Sequence, residues 1–165
     1  MLFLAFLLAS FALFLQSILS PKIGVLAFAP FLSIAILRSS FTKALYLSAF
    51  TGGLLDLLSN DPMGLHALNY CLVTAFTFRV RKHLSYEQPL HLSLFTGLLS
   101  FLSTLLQLVL LFLFDKKIPF KGGFVLIDLF AMPILDILYA FVWFAAPLVL
   151  FEKLYNKTKQ LWIRF

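Results

Sequence analysis

Apolar residues run along this chain in long blocks, and polar residues gather where the blocks end. The first block covers Leu2 to Leu19 and closes on Ser20-Pro21-Lys22. Further blocks follow at Ile23 to Leu37, Ala44 to Leu58, Gly64 to Phe78, Leu92 to Phe114 and Phe124 to Phe151. Bounded by charges and by Pro or Gly, they predict six membrane-spanning helices. The second, third and fourth hold about 15 residues each, or about 22 Å of helix, short for a bilayer core of about 30 Å. They are expected to tilt together, to be extended by flanking residues, or to be partly re-entrant.

Composition strengthens that picture. Of 165 residues, 62% are hydrophobic and 12% charged, and mean hydropathy is +1.00. Soluble domains run at about 45–50% apolar and about 25% charged. The expectation is an all-α integral membrane protein, a bundle of about six transmembrane helices over residues 1–151. A basic amphipathic cytoplasmic tail follows at 152–165, with Leu154, Tyr155, Leu161, Trp162 and Phe165 along one side. No length remains for a soluble domain. The first block lacks the positive start and small-residue cleavage point of a signal peptide, so it is read as a retained span. A single cysteine, Cys71, excludes an internal disulfide and a cysteine metal cluster.

The net charge of +6 does not form one patch, which argues against nucleic-acid binding. Placing both termini in the cytoplasm puts Arg38, Lys43, Arg79, Arg81, Lys82, Lys153, Lys157, Lys159 and Arg164 inside. Only Lys22, Lys116, Lys117 and Lys121 then lie outside, the bias that orients membrane proteins. His83 and His91 fall in a cytoplasmic loop and read as solvated.

Four ionisable residues interrupt the blocks: Asp56, His66, Asp128 and Asp136. A charge at the edge of a bilayer core faces protein, water or headgroups rather than acyl chains. Asp56 closes one block and His66 opens the next, ten residues on, so the two could touch across a turn. The preferred reading is a buried anchor that fixes how two helices meet, ahead of a catalytic pair. Asp136 follows Pro133, whose missing amide frees a carbonyl nearby. It could bind a cation, relay protons or pair with a neighbouring helix, and structural pairing is preferred. The fifth block carries Ser93, Thr96, Gly97, Ser100, Ser103, Thr104 and Gln107 at spacings of three and four, a helix-packing seam. Gly97 and Ser100 are expected against another helix, and Leu99 against lipid.

No catalytic signature is present: no Gly-x-Ser-x-Gly, no His-Glu-x-x-His and no phosphate-cradling glycine loop. The expectation is a protein that is not an enzyme, with no catalytic residues, cofactor or metal.

The order of elements resembles the rod-shape-determining protein MreD family over nearly the whole chain. The residues that carry this are LQSILS at the end of the first block, FAPFLSIAILRSS in the second, and AFTGGLLDLLSNDPMGLHALNY across the third and fourth. Within the last, Gly52-x-x-x-Asp56 and Gly64-Leu-His66 are the most specific; FAAPLVLFEKL around Pro147 is similar to the family's final helix. The chain departs from the family at Phe31, where an acidic residue often follows the proline. The resemblance implies a non-enzymatic, multi-pass component of the bacterial inner membrane that organises peptidoglycan synthesis during cell elongation. It implies MreC-like, RodA-like and penicillin-binding-protein partners, membrane lipids around it, and an indirect link to actin-like MreB. It implies a fold like the substrate-binding subunit of energy-coupling-factor transporters. That likeness supplies an alternative function, a small-solute-binding membrane subunit of a transporter. The residues to watch are Gly52, Asp56, Gly64, His66, Gly97, Asp128, Asp136 and Pro147.

Overall fold

A computed structural model describes residues 2–19, 26–59, 62–81, 89–114, 127–145 and 147. Among them the chain is all helix, without a strand. The helices are α1 (Leu2–Leu19), α2 (Ala29–Arg38), α3 (Phe41–Leu58), α4 (Leu65–Val80), α5 (Pro89–Leu113) and α6 (Met132–Ala140). α6 is flanked by π-helical turns at Ile127–Ala131 and Phe141–Ala145. The tail 152–165 and the far end of the sixth block lie outside the described residues; Pro147 is half-buried.

The second helix differs from its expected bounds. Leu26, Ala27 and Phe28 form a turn, closed by the Ala29 N–H on the Leu26 carbonyl at 2.9 Å, and the helix starts only at Ala29. Pro30 sits in its first turn, where a missing N–H leaves no helical bond unmade. With 10 residues α2 is about 15 Å long. Every residue from Ala29 to Ile36 is buried, so α2 is wrapped on all sides by protein.

α5 lies against α2, α4 and α6, while α3 and α4 form an antiparallel hairpin. α1 packs on α2 through the small residues Ala5 and Ala9, and Phe6 sets its ring against Phe28 and Phe31 at 6.0 and 5.5 Å. A second core joins Ile36, Ala44, Val73, Phe95 and Leu99. Leu99 is therefore core, 2% exposed, and not the lipid-facing residue its apolarity suggested. Leu94 and Leu98 take the outer face instead. His91 belongs to the first turns of α5 and is partly buried, not solvated in a loop.

Polarity runs inside out. Fully buried positions include Ser33, Ser48, Thr51, Asn69, Thr74, Thr77, Thr96, Ser100 and Asp136. The outer faces carry Phe3, Phe14, Tyr46, Phe50, Phe76, Phe112 and Ile134, each more than half exposed. Among the described residues one helix, Leu90–Leu113, is long and apolar enough to cross a membrane: 24 residues, about 36 Å.

Candidate functional site

The polar interior is organised around two carboxylates, each closing the start of a helix to which it does not belong. The first depends on Gly52 and Asp56, four apart and so on one face of α3. At Gly52 the backbones of α3 and α4 touch: a Cβ there would lie 2.4 Å from the Ala67 Cα and 2.7 Å from the His66 carbonyl oxygen. One turn later Asp56, 6% exposed, accepts the His66 N–H at 2.8 Å and the Ala67 N–H at 3.1 Å. These are early N–H groups of α4, which have no partner within their own helix. Gly64 precedes them as N-cap with φ +91, a left-handed conformation that favours glycine. Having no side chain, it cannot cap the helix itself, and Asp56 performs that role across the turn. The carboxylate meets His66 through the main-chain N–H, so the contact expected from the sequence exists in the form of a cap.

Further along the hairpin, Ser48 and Thr74 share a hydrogen bond at 2.8 Å. Buried Ser48 also bonds back to the Ala44 carbonyl, and Thr51 to that of Leu47 at 2.8 Å. Their hydroxyls are thus satisfied without water.

The second carboxylate, Asp136 of α6, is fully buried. One oxygen accepts the hydroxyl of Ser100 on α5, and the other accepts the Leu26 N–H at 3.1 Å, just ahead of α2. Tyr139, one turn on, reaches the Ala27 carbonyl at 3.4 Å. Gly97 makes the approach possible: a Cβ there would fall 2.3 Å from Cγ1 of Ile137 on α6. Thr96 hydrogen-bonds Ser33 of α2 at 2.9 Å, and Ser103 accepts the Asn69 amide of α4 at 2.9 Å. The stripe on α5 thus joins three helices, Ser100 reaching α6, Thr96 α2 and Ser103 α4.

Several residues in this arrangement were not singled out from the sequence, among them Ser33, Ser48, Thr74, Asn69 and the inward role of Arg81. Asn69 is wholly buried between α4 and α5, and an amide side chain in the middle of an apolar block was the available signal. Arg81 was read only as a topology charge. Its Nη1 donates to the carbonyls of Ile36 at 3.0 Å and Ser39 at 2.6 Å, closing the far end of α2. The guanidinium also lies 3.9 Å from the Phe78 ring centroid, a favourable cation–aromatic contact. Asp128 falls on the π-helical turn before α6, and its side chain lies outside the described residues.

Two polar atoms of this interior, Oδ1 of Asn69 and the hydroxyl of Tyr70, have no hydrogen-bond partner among the described residues. Tyr70 is within electrostatic range of both Asp56 and Asp136. No group of three or more His, Cys, Asp or Glu suited to a metal ion occurs among the described residues. Comparison with protein-family models, curated proteins and solved structures finds no match.

The cap at α4 makes a graded prediction. Asp56→Asn keeps an acceptor for one of the two N–H groups and should cost about 1 kcal/mol, in line with other cap losses. Asp56→Leu strands both, at about 1–3 kcal/mol for each buried donor. Melting of the detergent-solubilised protein should therefore rank wild type above Asn and Asn above Leu. Equal losses would assign the requirement to the negative charge itself.

Proposed function

We propose that this chain is a multi-pass, non-enzymatic membrane scaffold of the bacterial cell-elongation machinery, similar in role to the MreD family. Its six helical blocks lie in the inner membrane with both termini in the cytoplasm. Support for the membrane placement comes from the inside-out polarity, since a water-soluble monomer rarely exposes apolar patches beyond a few hundred Å². Charge supports the orientation: Arg38, Lys43, Arg79 and Arg81 sit at one end of α2, α3 and α4, whereas Asp56 and Asp136 bind at the other.

The observation that carries the scaffold reading is the use made of the carboxylates. All four oxygens of Asp56 and Asp136 are committed to neighbouring helices. Groups engaged in this way fix geometry and are not poised to transfer protons or attack a substrate. A rigid body with an apolar perimeter suits a protein that works by presenting helix faces to partner membrane proteins. A second reading, a small-solute-binding subunit, is favoured by one observation, the Asn69 Oδ1 and Tyr70 hydroxyl in the interior, which have no hydrogen-bond partner among the described residues.

Affinity capture from detergent-solubilised membranes separates the two. The scaffold reading expects MreC-like, RodA-like and penicillin-binding partners, with recovery reduced for Asp56→Leu. Recovery of an ATPase module with a coupling subunit would transfer the assignment to the second reading. Capture of neither set would reject both.

A further inference from the structure

Asn69 and Tyr70 are neighbours on α4, both buried, and each has an oxygen with nothing to bond. The Asn69 amide nitrogen donates to Ser103 twice, to its carbonyl at 3.2 Å and its hydroxyl at 2.9 Å. A carbonyl only accepts, so this pair of bonds fixes which way round the amide sits and turns Oδ1 away from Ser103. Neither Oδ1 nor the Tyr70 hydroxyl has a hydrogen-bond partner among the described residues. Buried polar atoms in folded proteins are almost always met, so two together point to a ligand.

A carboxylate lies beside them. Ser100 and Ser103 are one turn apart on α5; the first holds Asp136 and the second Asn69. The amide and the carboxylate therefore lie against successive turns of one helix face. Tyr70 packs in one apolar cluster with Phe144 and Tyr139, the latter one turn beyond Asp136. It is also within electrostatic range of that carboxylate. What these groups still offer is oxygen lone pairs. Oδ1 can only accept, the phenol oxygen can accept, and each Asp136 oxygen has capacity beyond the single bond it takes. An all-oxygen set suits a hard cation. One carboxylate neutralises one positive charge, whereas a divalent ion would leave excess charge buried.

We propose that Asn69 Oδ1, the Tyr70 hydroxyl and the Asp136 carboxylate bind one monovalent cation, sodium or potassium, between α4, α5 and α6. The inference goes beyond both functional readings above and needs neither set of partners, only the folded chain. The ion joins α4 to α6 across the face of α5 that already holds both.

The test melts the full chain in detergent in sodium chloride, potassium chloride or choline chloride at equal ionic strength. Choline carries the same charge but is too bulky for a buried site. At a hundredfold excess over Kd, the ion that fits should raise the melting temperature above that in choline by roughly 5–10 °C. Tyr70→Phe keeps the ring and removes only the hydroxyl, and it should lose most of that shift. Tyr46→Phe, at an exposed tyrosine of α3, should retain it. Equal melting of the wild type in all three salts would overturn the site, whether or not the variant folds. A shift undiminished in Tyr70→Phe would also overturn it, by placing the ion elsewhere.

Discussion

Gly52→Ala, the addition of one methyl group, is expected to lower stability by about 1–3 kcal/mol or more, the range for forcing atoms into a filled core. Gly53→Ala, one residue on, is expected to be neutral or stabilising. The contrast arises from what each Cβ would meet. At Gly52 the three nearest atoms are backbone: the Ala67 Cα at 2.4 Å, the Ala67 nitrogen at 2.7 Å and the His66 carbonyl oxygen at 2.7 Å. None can rotate away, so α3 and α4 must separate. Separation would also stretch the bonds from Asp56 to these same two residues, so one methyl weakens the cap as well as the packing. At Gly53 nothing lies within 4 Å, and alanine is favoured over glycine in a helix by about 1 kcal/mol. Thermal melting of both variants in the same detergent checks the pair. Similar melting temperatures would mean that the helices do not approach as closely as described.

Asp136→Leu should be at least as damaging. Two donors lose their acceptor, the Ser100 hydroxyl and the Leu26 N–H, and Asp136 and Ser100 are fully buried. At about 1–3 kcal/mol for each stranded donor, the loss is about 2–6 kcal/mol. Asp136→Asn keeps an acceptor for one of them and should fall between. Stability alone would not locate the damage, so amide exchange is the sharper readout. Protection should fall first at Leu26 and the start of α2, although these residues lie 110 positions from the substitution. Combining Asp136→Leu with Ser100→Ala should cost less than the sum of the two, because the second change removes a group already stranded. Full additivity would show that the two side chains do not act together.

Much of this architecture could be read from residue order. The limits of α1 coincide with the first apolar block, and α3, α4 and α5 follow theirs to within a few residues; α2 starts late, and the described part of the sixth block is a short helix, Met132–Ala140, between two π-helical turns. The polar spacing on α5 announced a seam, because small and hydroxylated residues have little reason to face lipid. Gly52 and Asp56 stood out for the same reason. What remained hidden has a common cause. Apolar side chains occur both on the outer faces and in the two apolar clusters of the interior, so hydrophobicity does not distinguish the two, and Leu99 was placed outside when it lies inside. The turn at Leu26–Phe28 was concealed in an unbroken apolar run, since the group that satisfies it comes from α6. Pro30 was the local sign that a helix begins there. Arg81 was masked by its company: among several basic residues at a helix end, nothing in the sequence marks the one that turns inward.

The position of α2 bears on how the chain is made. It is the second helix to leave the ribosome, yet the acceptor for its entrance, Asp136, is synthesised 110 residues after Leu26. At about 5–20 residues per second this is an interval of roughly 5–20 s. During that time the Leu26 N–H ahead of this 10-residue helix must be met by water or by another group. The packing partners of α2 in α1, α3, α4 and α5 all precede residue 136, so a chain released before that point would lack only the acceptor at the entrance to its second helix.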